Sequence, residues 1–287
     1  MSVDRVIMVC SRKDLPSWKF CAKYIVKNIK SKAYDLIVPD RDLELFYSAS
    51  PSQITILPES DYIASDLLPL KRAISGKQES RTGWYLQQII KLRALERHAG
   101  EDRLLIWDAD TAPFKELTFF SDTKKLVKYF AASKIHKPYF ETNRRILGNF
   151  GTVRRSYVAQ CFPIYGAWVR ELIEIIAENT GNDWVEEIIS QIDFSEGSGF
   201  SEYELLGCFL QQQHPEAMCF DGRPWCRRGV RVFGGIRPPG SYLERQFCFA
   251  AFEEWDKPKE GLGRLLSLFR EFRVNADFVR LVIPPRF

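Results

Sequence analysis

The sequence predicts an α/β fold whose central sheet is mostly parallel and is covered by helices on both faces. Two observations support this. Short apolar runs, typical of strands buried on both faces, recur along the first half of the chain, and segments with helical apolar spacing lie between them. Strands that alternate with helices in this way form a parallel sheet between two helical layers. At 287 residues, 45% of them hydrophobic, the chain is long enough to bury a sizeable core.

In the first half, four apolar runs predict strands. The second and third runs are each followed by a proline, which cannot donate a hydrogen bond to a strand ladder. Two segments between the runs carry apolar residues at helical spacing. In chain order, the predictions are a strand at 3–10, a helix at 17–29, strands at 34–38 and 54–57, a helix at 84–99 and a strand at 104–107.

The second half is less regular, because glycines, prolines and charges interrupt its apolar segments. We expect residues 1–214 to form the main domain and residues 215–287 to form a basic extension packed on it. The predicted elements are a strand at 126–133, a polar, basic loop at 142–155, a strand at 160–164, a helix at 166–179, a glycine-rich turn within 181–199 and helices at 201–212 and 262–272.

Composition excludes several protein classes. The seven cysteines are odd in number and scattered, and they contain no C-x-x-C pair, which argues against a zinc site and a secreted disulfide framework. The N-terminal segment lacks the long apolar region of a signal peptide, and no stretch reaches the ~18 apolar residues of a membrane span. We therefore expect a cytoplasmic protein. The net charge of +4 suits an anionic partner.

The motif with the most chemical content is Asp108-Ala109-Asp110, which directly follows the strand at 104–107. Open α/β sheets bind ligands beyond the carboxyl ends of their strands, where these two carboxylates would lie. Mg²⁺ and Mn²⁺ prefer oxygen ligands and commonly take one or two carboxylates together with phosphate oxygens. The motif therefore fits a cation that neutralises a departing diphosphate. The alternative is a simple turn at the end of a strand, which Asp also favours.

Three sequence blocks in the right order resemble a known class of enzymes. LLIWDADTAPF at 104–114 looks like the D-x-D strand of GT-A glycosyltransferases. GWYLQQIIKL at 83–92 and FSEYELLG at 200–207 resemble a poorly characterised bacterial glycosyltransferase-like family, associated with the assembly of surface polysaccharides such as lipopolysaccharide. The resemblance implies a GT-A-like fold and transfer of a sugar from a nucleotide-diphosphate donor, with UDP or GDP as the nucleotide. The acceptor would be a hydroxyl of a glycan or of a lipid-linked glycan.

The resemblance also assigns roles to individual residues. Asp110 would bind Mn²⁺ or Mg²⁺ directly, and Asp108 would contact the ribose or reach the metal through water. Related enzymes often recruit a histidine as a third metal ligand, and His214 is the candidate here. The expected donor-binding residues lie after the first two strands, before and on the helix at 84–99, and in the D-x-D motif; they are Cys10, Ser11, Arg12, Asp40, Arg81, Gln88, Lys91 and Asp108.

Glu202 and Glu204 are the two candidates for a catalytic base, because transfer with inversion needs a carboxylate to accept the proton of the acceptor hydroxyl. Ser201-x-x-Glu204 also fits a capping box, in which Glu204 returns to the backbone N–H of Ser201. We therefore assign Glu204 to capping and prefer Glu202 as the base. Transfer with retention would need no such base.

Two other functions remain open. A phosphotransferase or hydrolase can use the same D-x-D motif, but in haloacid-dehalogenase-like enzymes that motif usually opens the fold, whereas here three predicted strands precede it. A nucleic-acid-binding protein could use the arginine-rich segment at 223–245. Its aromatic residues are not interleaved with the basic ones as base stacking would require, so we expect no nucleic acid as a partner.

The last predicted helix also has two interpretations. Its apolar stripe lies beside several arginines, and a basic amphipathic helix can lie on an anionic membrane surface. The more frequent arrangement is a helix that packs its apolar stripe on the sheet, and we expect that arrangement here. The stripe consists of Leu262, Leu265, Leu266, Phe269 and Phe272.

Overall fold

A computed structural model describes residues 2–63, 67–77, 79–121, 126–178, 183–238, 245–259 and 261–282, with the side chains of the last segment described up to Glu271. Its strands are β1 (Val3–Val9), β2 (Ser31–Val38), β3 (Ile54–Pro58), β4 (Arg103–Trp107), β5 (Thr111–Pro113), β6 (Val127–Tyr129), β7 (Cys161–Tyr165), β8 (Met218–Phe220) and β9 (Phe249–Ala251).

The helices lie between and after these strands. They are α1 (Leu15–Asn28), α2 (Leu43–Ala49), α3 (Ser60–Ile63), α4 (Leu67–Ile74), α5 (Thr82–Arg97), α6 (Lys137–Leu147), α7 (Gly166–Glu178), α8 (Trp184–Gln191), α9 (Glu202–Gln213), α10 (Gly229–Phe233) and α11 (Gly261–Val282). Within the described residues, no helix is both long and apolar enough to cross a membrane.

The central sheet has five strands in the order β3-β2-β1-β4-β7. The first four are parallel, and β7 runs antiparallel to β4. Right-handed crossovers that step from β1 to β3 in one direction, and from β3 back to β4 in the other, place their helices on opposite faces of the sheet. The predicted α/β fold with a mostly parallel sheet and helices on both faces is therefore confirmed.

The six elements predicted in the first half all occur, with ends shifted by up to three residues. Their prediction was reliable because β1, β2 and β4 are almost wholly buried, and a strand buried on both faces reads as a continuous apolar run.

One prediction for the second half is wrong. The first part of the expected loop at 142–155 belongs to α6, which begins with Pro138 in its first turn and ends at Gly148, whose φ is 74°. The segment at 181–199 does close with a turn, at residues 194–198, and the helix before it, α8, was not predicted; its N-terminal N–H groups are capped by the side chain of Asp183. Both helices contain many polar residues, so only a few apolar residues show helical spacing in the sequence.

The segment after residue 215 is joined to the rest of the fold by strand pairing. β8 pairs with β6, and β9 pairs with β5, directly after the D-x-D motif. Next to β9, the Phe252 carbonyl oxygen accepts a hydrogen bond from the hydroxyl of Ser17 in α1 (2.6 Å). Strands β8 and β9 thus pair with strands from residues 1–214, and β9 helps to build the region around the carboxyl end of β4.

The last helix departs from its expected packing. Leu262, Leu265, Leu266 and Phe269 are exposed, although we expected their stripe to face the sheet. Instead, Leu268 packs against the core, and Glu271 is buried. The side chain of Phe272 lies outside the described part of the chain.

Candidate active site

A cavity of about 560 Å³ opens beyond the carboxyl ends of β1 and β4. These strands are neighbours, but the chain adds β2 and β3 on the other side of β1 before it reaches β4. Strand order therefore reverses between β1 and β4, and open α/β sheets bind ligands at such a point. The loop after β1, helix α5, the turn after β4, the start of α9 and the residues after β9 all line the cavity.

The D-x-D turn at 108–110 is fixed by its backbone. The N–H of Asp108 donates to the carbonyl oxygen of Gln160 (2.9 Å), and the carbonyl oxygen of Asp110 accepts from the N–H of Phe252 (2.8 Å). Both Asp residues line the cavity. Because segments from β7 and β9 hold the turn, the positions of the two carboxyl groups depend on residues far from them in sequence.

Lys91 links the D-x-D turn to helix α9. Its Nζ donates to Asp108 Oδ1 (2.5 Å) and to Glu202 Oε1 (2.7 Å). The hydroxyl of Tyr203 also donates to Asp108 Oδ1 (2.6 Å). Burial alone would lower the pKa of Lys91, but the Asp108 and Glu202 carboxylates outweigh burial and raise it. Lys91 therefore stays charged and holds both carboxylates in place.

Asp110 and its neighbours form the acidic side of the cavity. Burial raises the pKa of Asp110 well above its usual range, and Glu253, Asp108 and Asp14 raise it further. Burial likewise raises the pKa of Glu253 to about 7. Glu253 Oε1 accepts a hydrogen bond from Gln160 Nε2 (3.1 Å), whereas its Oε2 is buried without a hydrogen-bond partner among the described residues. This side holds more carboxyl groups than the nearby cations neutralise.

Two arginines line the same cavity. Arg81 donates from Nη2 to the hydroxyl of Ser198 (2.8 Å), and its guanidinium lies 4.2 Å from the ring centre of Trp84. The backbone N–H of Arg227 donates to Glu271 Oε2 (3.1 Å), which ties this loop to α11. Within the described part of the chain, the Nε atoms of both guanidinium groups are buried and make no hydrogen bond. An anion in the cavity would satisfy them.

Comparison with known families identifies the chain. Residues 17–220 match the family described as a family of unknown function, DUF6492. The chain belongs to this family. A comparison with curated proteins finds no match.

This DUF6492 member is similar to solved structures of two glycosyltransferases. The first is the galactosyltransferase LgtC in complex with donor and acceptor sugar analogues; the identity is 11%, the similarity covers 98% of each chain, and the TM-score is 0.47. The second is the apo form of mouse xyloside xylosyltransferase 1; the identity is 10%, the similarity covers 90% of this chain and 99% of that chain, and the TM-score is 0.49.

In this member of the family, the structure brings most of the predicted site residues together. Those that line the cavity are Cys10, Ser11, Arg81, Gln88, Lys91, Asp108, Asp110 and Glu202. Gln88 accepts a hydrogen bond from the backbone N–H of Glu202 (3.0 Å), and so positions the start of α9. Burial raises the pKa of Cys10 well above its usual range, so its sulfur is a neutral thiol.

Arg12 and Asp40 do not line the cavity, contrary to the expectation that both bind the donor. The side chain of Arg12 is 72% exposed and approaches Asp42 at 3.5 Å. Asp40 accepts hydrogen bonds from the hydroxyl (2.5 Å) and the N–H (3.2 Å) of Ser60. Its carboxylate thus satisfies the start of α3, a structural role that a strand-end position in sequence does not reveal.

Glu204 is neither a lining residue nor the expected cap. Ser201 occupies the N-cap position of α9, but no side-chain capping bond forms there. Glu204 is fully buried and instead accepts hydrogen bonds from the hydroxyl of Ser156 and the N–H of Tyr157 (3.0 Å). It therefore anchors the segment before β7, and the expected capping box is wrong.

The structure places His214 away from the D-x-D turn. His214 follows the last residue of α9, while Glu202 begins that helix, and 12 helical residues span about 18 Å. Its Nε2 lies 2.7 Å from Glu171 Oε2, and its ring stacks on Trp168 at 4.6 Å. These contacts leave the histidine on the far end of the helix, where it cannot complete a site with Asp110.

Several cavity residues were missed by the sequence analysis; they are Asp14, Gln160, Tyr203 and Glu253. Tyr203 stands in the same block as Glu202 and could have been included. The run FCFAAF at 247–252, followed by two glutamates, repeats the pattern of an apolar strand that ends in acids. Nothing local distinguishes Gln160, whose φ of 63° places it in the left-handed region.

The donor set suits Mg²⁺ or Mn²⁺ only with help from a ligand. Among the residues that the structure describes, no three His, Cys, Asp or Glu side chains come together as a complete metal site. Asp108 and Asp110 supply oxygen ligands, and such ions commonly bind through one or two carboxylates plus substrate phosphates. Glu253 Oε2 has no hydrogen-bond partner among the described residues, and burial together with Glu253 raises the pKa of Asp110; a divalent cation bound there would favour the charged forms of both carboxyls.

Proposed function

We propose that this chain is a glycosyltransferase that moves a sugar from a nucleotide-diphosphate donor, UDP- or GDP-linked, to a hydroxyl of a glycan or lipid-linked acceptor, with Mn²⁺ or Mg²⁺. One observation carries this proposal. At the point where strand order reverses, a single cavity combines the carboxyl groups of the 108–110 turn with the guanidiniums of Arg81 and Arg227, whose Nε atoms make no hydrogen bond within the described residues. A diphosphate bound with a cation fits both halves, because the cation meets the carboxylates while the phosphate oxygens meet the arginines.

In this proposal each cavity residue has its own role in binding the donor and the metal. Asp110 would bind the metal directly, and Asp108 would contact it through water or contact the ribose. When bound, the metal would offset the charge that develops on the departing diphosphate. Lys91 orients Asp108 through its bond to Oδ1, and Arg81 and Arg227 would hold phosphate oxygens. These groups stabilise the leaving group by fixed charge, which suits a reaction that breaks the bond between sugar and phosphate.

Glu202 remains the proposed base if the reaction inverts configuration. It lines the cavity and is 3% exposed. Burial raises the pKa of Glu202, although Lys91 opposes that rise, and a raised pKa makes a carboxylate a better proton acceptor. Glu202→Gln should then reduce turnover by ~100-fold or more while donor affinity changes little. If donor affinity falls by a factor comparable to the fall in turnover, the main role of Glu202 is instead to position Lys91.

The acceptor is expected to be a sugar. Trp84 and Tyr139 line the cavity with their rings stacked at 6.5 Å, and aromatic faces of this kind pack against the apolar faces of sugar rings. We place the reaction in surface polysaccharide assembly, on the resemblance of the three sequence blocks. Because the Arg81 guanidinium lies against the Trp84 ring, Tyr139 is the residue on this wall whose loss should affect the acceptor more than the donor.

The decisive experiment is titration calorimetry of the full chain with UDP and GDP, each with and without Mn²⁺. We expect one nucleotide to bind, with affinity that depends on the metal. Asp110→Asn should weaken that binding by ~100-fold, since the metal would lose a charged ligand. Asp61→Asn, at an exposed carboxylate on α3, is the matched control and should bind like the wild type.

The protein is then incubated with sugar conjugates of the nucleotide that binds, and the products are analysed. This experiment distinguishes transfer of the sugar from hydrolysis of the donor. Formation of a new glycoside on an added saccharide would support transfer. If neither nucleotide binds in the presence of metal, the proposal is wrong. If the donor is hydrolysed to free sugar in the presence of every acceptor tried, the site belongs to a hydrolase.

A further inference from the structure

The last helix, α11, has two opposite faces. On one face, Arg264 Nε donates to the carbonyl oxygen of Val232 (2.7 Å), Leu268 packs on the core, and Glu271 accepts from Arg227. On the other face, four large apolar side chains follow one another at positions i, i+3, i+4 and i+7. This apolar stripe consists of Leu262 (70% exposed), Leu265 (47%), Leu266 (59%) and Phe269 (62%).

The stripe is unusual for this molecule. Among the described residues, the other large apolar side chains that are exposed stand apart along the chain, at Tyr47, Leu68, Ile135, Ile236 and Trp255. Single exposed apolar residues are normal, whereas a contiguous row marks an interaction site. The stripe is not needed to attach α11 to the domain, because the opposite face of the helix already does so.

Charge indicates what covers the stripe. The segment at 257–287 holds seven Lys and Arg residues and three Asp and Glu residues, whereas residues 1–256 hold 34 of each. The whole net charge of +4 therefore resides in the segment that contains α11. Arg270 is exposed within the stripe region, while the acidic Glu271 is turned inward to Arg227. An exposed apolar row within a basic segment matches the headgroup boundary of an anionic bilayer.

We propose that α11 lies flat on an anionic lipid bilayer, with the apolar stripe inserted among the headgroups and the basic side chains against lipid phosphates. The buried face of the same helix supports the cavity, because Glu271 holds the backbone of Arg227, which lines it. Docking through α11 thus puts the membrane-bound helix in direct contact with a residue of the candidate site.

The test is sedimentation of the full chain with vesicles of phosphatidylcholine alone or with about 30% phosphatidylglycerol. The wild type should pellet with the anionic vesicles, and its affinity should fall as salt rises. Leu266→Asp combined with Phe269→Asp should weaken binding by ~100-fold, since two apolar side chains lose their insertion. Leu68→Asp, at a leucine 55% exposed on α4, is the matched control and should pellet like the wild type.

Three results would overturn the proposal. Wild-type protein could stay in solution with anionic vesicles, or the stripe variant could bind as tightly as the wild type. Alternatively, light scattering could show a dimer that the stripe variant disrupts, without vesicle binding, which would assign the stripe to a second copy of the chain. Should the stripe variant fail to fold, Arg270→Glu gives an independent test and should weaken binding to anionic vesicles several-fold. Donor and metal are absent from the assay, so its outcome is independent of the proposed catalytic function.

Discussion

Replacing Glu204 by glutamine should stabilise the protein at pH 8 and have a much smaller effect on its stability at pH 5. Glu204 is fully buried, and burial raises its pKa from 4.5 to about 7, against the opposing hydrogen bonds from Ser156 and Tyr157. At pH 8 the folded protein must therefore hold a buried carboxylate, whereas at pH 5 the group is protonated. Glutamine keeps the shape, one acceptor oxygen for the N–H of Tyr157 and an NH2 group that can donate to the Ser156 hydroxyl oxygen, but it carries no charge.

The sign and size follow from the two pKa values. Because the folded state binds the proton more tightly than the unfolded chain, the protonated carboxyl stabilises the fold fully below pH ~4.5, and this contribution is lost as the pH rises through ~7. A difference of about 2.5 pKa units corresponds to about 3 kcal/mol in the free energy of unfolding. In a chain of this size, that is a melting-temperature difference of roughly 5–10 °C.

The assay is urea unfolding of wild type and Glu204→Gln at pH 5 and pH 8, with thermal scans alongside. Glu216→Gln changes an exposed glutamate near the end of the same helix and should have no effect at either pH. The reasoning is refuted if Glu204→Gln gives the same change in unfolding free energy at both pH values. It is also refuted if the variant is less stable than the wild type at pH 8, since that would make the ionised carboxylate the favourable form.

Other predictions concern the packing and charges around the cavity. Lys91→Met should lower the free energy of unfolding by about 3 kcal/mol, because it leaves buried Glu202 without its counter-charge; urea unfolding should show most of this loss recovered when Glu202→Leu is added. Gly207→Ala should cost about 1–3 kcal/mol in the same assay, since a Cβ there would lie 2.1 Å from the Tyr157 ring, and a neutral result would contradict that packing. Tyr139→Ala should raise KM for the acceptor several-fold more than KM for the donor in steady-state kinetics, and an equal rise in both would remove Tyr139 from the acceptor wall.

The sequence predicts the first half of the fold well because its signals are local. A strand buried on both faces is a continuous apolar run, and a proline or an acid follows where the strand leaves the sheet. The same approach fails for α6, whose sequence KPYFETNRRIL is mostly polar. Its helical character depends on Phe140, Ile146 and Leu147 being buried by the surrounding domain, which no short window of sequence reports.

The two glutamates of α9 show the same limit at the candidate site. Sequence spacing favours Glu204 as a cap, because Ser-x-x-Glu at a helix start is a local pattern. The structure gives Glu204 a partner 48 residues away in sequence and gives Glu202 one 111 residues away. Which carboxylate faces the cavity is therefore decided by tertiary packing: Glu202, the preferred candidate, does line it, but the capping bond on which that preference rested does not form.

The charged residues of the cavity are difficult to explain by a structural role alone. A site selected only for stability would pair each buried carboxylate, because an unpaired buried charge costs several kcal/mol. Here Lys91 bonds to both Asp108 and Glu202 but balances only one of the two charges, while burial raises the pKa of Asp110 and of Glu253, and Glu253 Oε2 has no hydrogen-bond partner among the described residues. On the proposed function, this cost is offset when a cation binds. The stability of the apo protein and its affinity for metal are then linked, and a cation that binds the folded state should raise its melting temperature.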